Sequence, residues 1–99
     1  MEWIYNANRR MIRKLKEDSE IDLTETESKF IEVISNNKLI SWDDIADYLY
    51  GNRECSSYYE QDIYRSSITT KSRVLKKVKL NIETMRGKGI KLLDKIYIE

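Results

Sequence analysis

Residues 65–78, with the sequence RSSITTKSRVLKKV, decide how the rest of the chain is interpreted. At about 100° per residue, the apolar side chains of this stretch gather on one side of a helix and the polar ones on the other. The apolar side holds Ile68, Val74, Leu75 and Val78, and the polar side holds Ser66, Thr69, Ser72, Arg73, Lys76 and Lys77. One side can therefore pack on a core. The other offers the donors that a helix in a DNA major groove needs, although most basic helix faces only meet solvent.

Composition describes a small globular chain with one basic pole. The 99 residues are 40% hydrophobic and 35% charged, with a net charge of +1. This length suits a single domain. The charges are unevenly spread: between residues 65 and 91 the only acid is Glu83, whereas acids dominate residues 17–60. The distribution, and not the total, therefore indicates a surface for an anionic partner.

Several function classes lack the residues they require. Cys55 is the only cysteine and there is no histidine, which excludes an internal disulfide and fits a reducing cytosol. No apolar run has the length of a membrane span or a signal peptide. The sequence contains no set of metal ligands, phosphate-binding glycine loop or nucleophile motif. We therefore expect a cytoplasmic protein that is not an enzyme and has no cofactor, metal or membrane partner.

The first 23 residues are rich in strand-forming side chains. Short strands are predicted at residues 3–5, 10–15 and 20–23, with turns at 6–8 and 16–19. A helix over residues 9–16 is the alternative, and local propensity does not decide between the two.

Two helices follow with clear start signals. Thr24 and Glu27 have the spacing of a capping box, and that helix should end near residues 35–37. Ser41 should cap the second helix, and Gly51 fits the position that ends it. The inner faces are predicted to hold Phe30, Ile31, Val33 and Ile34 in the first helix, and Trp42, Ile45, Ala46 and Leu49 in the second.

The segments around the basic helix are strands and a loop. Residues 39–40 form a short strand candidate, and residues 52–64 have no clear period and are predicted to be a loop with room for a helical turn. Two strand-like runs flank residues 86–89, Arg-Gly-Lys-Gly, which predicts a tight hairpin with a cationic tip. Residues 96–98 should form a final edge strand.

In this order the elements resemble the OmpR/PhoB-type DNA-binding domain of response regulators. The motifs are Leu23-Thr24-x-x-Glu27, Ile40-Ser41-x-Asp-Asp44-Ile45, Leu49-Tyr50-Gly51, Ser72-Arg73-Val-x-Lys76-Lys77-Val78 and Thr84-Met-Arg-Gly-x-Gly89-Ile-Lys-Leu92. The resemblance implies an α+β winged helix-turn-helix with an N-terminal antiparallel sheet, three helices and a C-terminal β-hairpin wing. Residues 1–99 would form a single domain: the sheet at 1–23, the helical core at 24–80 with the recognition helix at about 65–80, and the wing and final strand at 81–99.

The resemblance also implies which residues meet DNA. Major-groove contacts would come from Thr69, Thr70, Ser72, Arg73 and Lys76. The wing position Arg86 would enter the minor groove, where negative potential is concentrated. Thr84, Tyr50 and Arg65 would lie near the DNA backbone, although Tyr50 fits equally well as a half-buried packing aromatic at the end of its helix. Lys77, from the polar side of the helix, and Lys88, from the hairpin tip, complete the predicted set.

The sequence departs from the family pattern in the recognition helix. Ser67, Thr69 and Lys71 stand where apolar residues are usual, and Leu75 where a basic residue is usual. Lys71 falls on the inward side of the predicted helix, so it either extends its ammonium outward or the helix is rotated by about one residue. Ile90 replaces the usual wing aromatic.

Two further features concern partners. The 52–64 loop is longer than usual, and in the family this loop touches RNA polymerase or its sigma subunit. The receiver domain is missing. The chain is therefore either a stand-alone domain, for instance from a phage or mobile element, which an initiating methionine fits, or a domain cut from a longer regulator.

Two hypotheses on function remain. The first is a sequence-specific binder of double-stranded DNA that regulates transcription, as a monomer or weak dimer that pairs on DNA. The second is a winged-helix interaction module that binds RNA polymerase or another host nucleoprotein, such as a phage-encoded inhibitor. The near-neutral net charge, the acidic first half and the Tyr-rich loop support the second hypothesis.

Overall fold

The computed structural model describes residues 1–50 and 57–99, and the side chains of residues 57–64 lie outside that description. Within the described residues, three helices stand between an N-terminal sheet and a C-terminal hairpin. The elements are β1 (Glu2–Asn6), β2 (Met11–Lys14), β3 (Ile21–Asp22), α1 (Glu25–Ile34), α2 (Trp42–Tyr50), α3 (Ser57–Lys77), β4 (Ile82–Met85), β5 (Gly89–Leu92) and β6 (Lys95–Ile98). The predicted α+β architecture is confirmed.

The N-terminal sheet has four strands in the order β3-β2-β1-β6. β1 runs antiparallel to β2 and parallel to β6, so the final strand returns to the sheet in which the chain begins. Trp3, Tyr5 and Ile12 all face the core, because Trp3 and Tyr5 alternate along β1 and Ile12 lies opposite Tyr5. The strand prediction for residues 10–15 is thus confirmed for residues 11–14, and the alternative helix over residues 9–16 is wrong.

α1 begins with the predicted capping box. The Glu27 amide donates to the Thr24 hydroxyl at 3.2 Å, and the Thr24 amide donates to the Glu27 carboxylate at 2.8 Å. Two amides that the helix itself leaves without acceptors are satisfied in this way. The helix ends at Ile34 with Ser35 as its C-cap, as predicted.

α2 also begins as predicted. The Asp44 amide donates to the Ser41 hydroxyl at 3.1 Å, which caps the first turn. The whole predicted inner face is buried: Trp42, Ile45, Ala46 and Leu49. The predicted stop at Gly51 lies outside the described residues.

α3 is longer than the sequence indicated. It begins at Ser57, so the predicted loop is wrong for residues 57–64, while residues 52–56 lie outside the described part. The helix ends at Lys77, short of residue 80. No glycine or proline interrupts residues 57–77, and a helix does not need a regular apolar period to form once packing supports part of it.

The buried side of α3 is rotated from the predicted apolar side. Ser67, Thr70, Val74 and Val78 are buried, at i+3 and i+4 spacing, whereas Ile68, Lys71 and Leu75 are only half-buried. The small hydroxyl residues Ser67 and Thr70 therefore occupy positions that the apolar pattern had assigned to neither side. This rotation decides which side chains remain outside.

The hairpin of β4 and β5 is joined to the helical core through Ile40. Ile40 and Ile90 exchange two backbone hydrogen bonds, at 2.8 and 2.9 Å. Next to this bridge, a Cβ placed on Gly89 would lie 1.8 Å from the Ile40 carbonyl oxygen, and Gly89 has a φ of 150°. Only glycine fits so close an approach of two backbones. Ile90 and Leu92 then enter the core.

Candidate nucleic-acid interface

The side of α3 opposite its buried residues forms a continuous exposed surface. We call the following set the outer face, and all five of its members are exposed: Arg65, Thr69, Ser72, Arg73 and Lys76. The spacing of three and four residues places them in one stripe along the helix. The outer face thus combines three cations with two short hydroxyl side chains over three turns of helix.

The cations of the outer face form no ion pair with an acid in the described part of the chain. None of the ion pairs between described residues involves Arg65, Arg73 or Lys76. The Thr69 hydroxyl donates to the Arg65 carbonyl at 3.0 Å, which leaves its oxygen able to accept a further bond. These side chains can therefore reach toward an anion without first breaking an ion pair described here.

Lys77 differs from its neighbour Lys76. Its ammonium lies 2.8 Å from a carboxylate oxygen of Glu27, and 3.5 Å from the backbone carbonyl oxygen of Asp22. Burial alone would raise the pKa of Glu27, but hydrogen bonds from Lys77 and Thr24 outweigh burial and lower the pKa below its ordinary value. Lys77 therefore ties the end of α3 to the start of α1.

Thr70 and Tyr50, which were predicted to contact DNA, do not belong to the outer face and are turned toward the core. Thr70 is only 5% exposed, and its hydroxyl donates to the Ser66 carbonyl at 2.9 Å. The Tyr50 hydroxyl is 3.4 Å from the Thr70 hydroxyl, and Tyr50 is half-buried against the core. A buried, back-bonded threonine cannot present its hydroxyl to a groove, so Thr70 acts in the packing of α3 on α2.

The Lys71 side chain lies over the indole ring of Trp42. It is half-buried, and its ammonium lies 5.6 Å from the centre of the Trp42 ring. A cation over an indole face is attractive, and the four-carbon stem can lie along apolar surface. The inward position of Lys71 that the sequence indicated is thus compatible with its charge.

The hairpin tip is the second exposed basic feature. Arg86 and Lys88 are exposed on either side of Gly87, whose φ of 75° shapes the turn. The Lys88 amide closes this turn on the Met85 carbonyl at 2.9 Å. Thr84 is exposed on the strand that leads to the tip.

The first turn of α2 connects the hairpin tip with α3. Ser41, Trp42 and Asp43 line one shallow groove together with Gly87 and Lys88. Since Trp42 also lies under Lys71 of α3, the same indole stands between the two basic features. The start of α2 therefore contacts both α3 and the hairpin tip.

Exposed cations outnumber acids in the segment from residue 65 to residue 91. The sole acid between residues 65 and 91, Glu83, lies directly opposite Lys91 in the hairpin. Its charge is therefore balanced within the hairpin. The outer face and the tip keep their cations exposed.

Other kinds of site find little support among the described residues. No group of three His, Cys, Asp or Glu side chains there could hold a metal ion. No helix in the described ranges combines the length and the apolar character needed to cross a membrane.

Sequence comparison and structure comparison give different results. No protein-family model matches the chain, and no curated protein matches it. Solved structures do match. The DNA-binding domain of Bacillus subtilis CssR has a TM-score of 0.69 at 19% identity, over 87% of this chain and 93% of that one. The chain has a winged-helix fold.

Two further structures support this assignment of the winged-helix fold. The C-terminal domain of NsrR, a nisin resistance regulator described as a lantibiotic response regulator, has a TM-score of 0.65 at 20% identity, over 85% of this chain and 84% of that chain. The DNA-binding domain of Escherichia coli CadC has a TM-score of 0.61 at 13% identity, over 89% and 82% of the two chains. At these identities the likeness concerns the fold.

The sequence predicted most of the exposed residues on this surface, but it did not reveal the contacts that join the surface to the rest of the fold. Arg65, Thr69, Ser72, Arg73, Lys76, Thr84, Arg86 and Lys88 are all exposed, as a contact surface requires. The ion pair of Lys77 with Glu27 joins residues 50 positions apart, and no local pattern announces it. The sequence is compatible with a helix that begins at Ser57, because residues 57–64 contain no glycine or proline.

Proposed function

We propose that this protein is a sequence-specific binder of double-stranded DNA that regulates transcription. The observation that carries the proposal is the outer face of α3, a stripe of exposed cations and hydroxyls without ion pairs to described residues. A cytoplasmic location belongs to the same proposal. The structural neighbours CssR and CadC are named as DNA-binding domains, which supports it.

In this proposal the outer face of α3 lies in the major groove. Arg73 reads a base edge, because a guanidinium can bond guanine bidentately. Arg65 and Lys76 bind phosphates and fix the orientation of the helix, and Thr69 and Ser72 add short hydrogen bonds. Thr70, Tyr50 and Lys77 are left out of the proposed contact set, since their polar groups are engaged within the fold.

The hairpin tip acts as the wing. Arg86 enters the adjacent minor groove, whose narrow form concentrates negative potential. Thr84 and Lys88 contact phosphates on either side of it. The backbone hydrogen bonds between Ile40 and Ile90 hold the hairpin beside the start of α2, and so at a defined offset from α3. That offset determines the spacing between the two contacts on DNA.

A single module of this size makes a small interface. Winged-helix and similar modules bury on the order of 600–1,000 Å² of protein surface on DNA. We therefore expect modest affinity for one copy and tighter binding where two copies occupy adjacent sites. RNA polymerase or its sigma subunit remains a predicted partner through residues 52–64. Residues 52–56 and the side chains of residues 57–64 lie outside the described part of the structure.

Salt dependence and two matched substitutions test the proposal. DNA fragments selected from a genomic library supply the specific duplex, and a scrambled duplex of equal composition is the reference. The affinity should fall steeply with salt, because phosphate contacts release counterions. Arg73→Ala should reduce the preference for the selected sequence by about 1–3 kcal/mol, whereas Lys76→Ala should weaken both duplexes similarly.

The control is Lys16→Ala, which removes an exposed lysine from the turn after β2. It should leave both affinities within about twofold, since only non-specific long-range attraction changes. Equal losses from Arg73→Ala on both duplexes would remove its assigned role in reading sequence. If no duplex binds at low salt and a protein partner is captured instead, the interaction-module hypothesis takes precedence.

A further inference from the structure

The last strand of the chain forms an edge of the N-terminal sheet. β6 pairs with β1 on one side, and no described strand pairs with its other side. The opposite edge, β3, is only two residues long. Short edges resist further pairing, whereas a longer edge with apolar side chains is a template for another strand. β6 is therefore the edge that can accept a partner.

The backbone of β6 has a defined outward set of groups. The Lys95 amide donates to the Met1 carbonyl at 3.1 Å, and the Glu99 amide donates to the Tyr5 carbonyl at 2.8 Å. In a parallel ladder every second residue turns its amide and carbonyl to the same neighbour. Residues 95, 97 and 99 thus face β1, so Ile96 and Ile98 direct their backbone groups away from the sheet.

Apolar side chains collect at this edge. In β6, Tyr97 is 39% exposed and Ile98 is 61% exposed. Ile98 lies opposite Tyr5 in β1, on the face that the core covers elsewhere, whereas Ile96 on the same face is only 8% exposed. An isoleucine on the core side of a sheet is normally covered. The edge is therefore apolar where an added strand would cover it.

The sequence of the strand is complementary to itself when reversed. Residues 95–99 read Lys-Ile-Tyr-Ile-Glu, with a cation and an anion at equal distances from Tyr97. We infer that β6 pairs antiparallel with β6 of a second copy, around a two-fold axis at Tyr97. Lys95 then lies opposite Glu99 of the second copy at both ends of the pair.

This register also satisfies the outward backbone groups. Ile96 lies directly opposite Ile98 of the second copy, and the two exchange both hydrogen bonds, while Tyr97 faces its own copy as a non-hydrogen-bonded pair. Ile98 covers the side chain of Ile96 across the interface. Cross-strand neighbours lie close enough for these apolar and charged pairs to contribute.

The pairing closes on itself. A two-fold interface uses the same patch on both copies, so each β6 edge is consumed. The two sheets then form one continuous sheet that ends in the short β3 strand on each side. A dimer is therefore the expected product, and not an extended fibre. This inference rests on the sheet alone and does not depend on DNA binding.

Charge reversal at the two ends of β6 tests this dimer. In the native protein, sedimentation equilibrium over concentrations up to about 1 mM should show a monomer–dimer transition. Lys95→Glu places two carboxylates opposite each other at both ends of the pair, and Glu99→Lys places two ammonium groups there. Each substitution should weaken association on the order of tenfold, because like charges directly opposite are unfavourable.

Mixing the two single variants is the decisive measurement. A mixed pair has opposite charges at both ends, so the mixture should regain the association that each variant alone has lost. The doubly substituted chain should also dimerise. Both side chains are exposed, and circular dichroism checks that the fold is kept.

The inference is overturned if the native chain stays monomeric over the whole concentration range. It is equally overturned if a dimer forms but ignores the charge reversals, or if mixing fails to restore it. Larger assemblies in place of a dimer would also contradict the closed two-fold pairing.

Discussion

Two regions of this protein use their charged side chains differently. On the outer face, Arg73 and Lys76 are exposed and make no ion pair with described residues. In the contacts that hold α3 and the hairpin to the rest of the fold, which we call the inner seam, Lys77 bonds Glu27 and Asp94 accepts bonds from Trp3 and Asn81.

The difference shows that position along a helix, and not residue type, separates a cation that builds the fold from one that is offered to a ligand. Lys76 and Lys77 are adjacent in the chain, yet one residue of helix turns a side chain by about 100°. The hairpin repeats the pattern at Gly87, which meets open space, and Gly89, which meets the Ile40 backbone. Such adjacent pairs provide matched substitutions, and the largest effect is expected at the glycines.

Gly89→Ala should be the most destabilising single change in this comparison. The new methyl group would overlap the Ile40 carbonyl, so the two hydrogen bonds between Ile40 and Ile90 must lengthen or break. Together with the strained dihedral angle, we expect a loss of about 3 kcal/mol in the free energy of unfolding, measured by chemical denaturation.

Gly87→Ala is the matched control for that experiment. Its φ of 75° is also unfavourable for alanine, but no atom lies within 4 Å of the added methyl group. The expected loss is about 1 kcal/mol, from the backbone alone. Similar losses at both positions would mean that the approach to Ile40 does not hold the hairpin in place.

These glycines also show what sequence could predict. The turn chemistry of residues 86–89 was sufficient to place the hairpin and its tip, because positive φ angles are a local property. The contact of Gly89 with Ile40 joins residues far apart in sequence, so no local pattern could reveal which glycine is structurally required. The capping box of α1, the Ser41 cap of α2 and the inner faces of both helices were predictable for the same local reason.

The prediction of α3 failed where local signals were weak. Residues 57–64 lack an apolar period, and the helix there was missed. The buried side moved toward Ser67 and Thr70, because tertiary packing selected small side chains over the apolar stripe that Ile68 and Leu75 suggested. The outer face survived this rotation since its members lie near the centre of the exposed side.

Asp94→Asn should produce the next largest effect. Asp94 is 2% exposed and accepts hydrogen bonds from the Trp3 indole at 3.0 Å and from the Asn81 backbone and side-chain amides at 3.0 and 2.9 Å. An asparagine has the same shape but only one acceptor oxygen, so buried donors lose partners. We expect a loss of about 2 kcal/mol in the free energy of unfolding.

The matched control is Asp43→Asn, at an exposed position in the first turn of α2. The change weakens its interaction with the helix dipole and removes one charge from the groove shared with Lys88, which together cost roughly 0.5 kcal/mol. DNA affinity of the folded Asp94→Asn protein should equal that of the native protein, because the inner seam does not touch the proposed contacts. A large loss of affinity there would show that the two regions are coupled.

Acid should weaken the inner seam before it affects the outer face. Burial would raise the pKa of both Glu27 and Asp94, but hydrogen bonds from neighbours outweigh burial and hold each pKa below its ordinary value, 4.5 for Glu27 and 3.8 for Asp94. The unfolded chain therefore takes up these protons first as the pH falls.

Stability from these groups is fully present above pH 4.5 and declines as the pH falls through the lowered values. Urea unfolding at a series of pH values measures this decline. Glu27→Gln removes one of the two titrating groups, so its stability should fall less steeply with acid than that of the native protein. An unchanged slope would show that Glu27 has the same pKa in the folded and unfolded chains.

The adjacent lysines give the smallest and most specific test. Lys77→Ala removes the ion pair with Glu27, which is 2.8 Å long with the lysine side chain 43% exposed. Because solvent screens such a pair, we expect a loss of only about 1 kcal/mol in the free energy of unfolding. Lys76→Ala should change that free energy by less than about 0.5 kcal/mol, since no described residue pairs with Lys76.

The order should reverse for binding. Lys76→Ala should lower duplex affinity and reduce the dependence on salt by about one phosphate contact. Lys77→Ala should leave the salt dependence close to that of the native protein, because its ammonium is bonded to Glu27 in the folded state. Both variants are measured by the same denaturation and salt titrations. If the two substitutions changed stability and salt dependence in equal proportion, the assignment of Lys76 to the outer face and of Lys77 to the inner seam would be wrong.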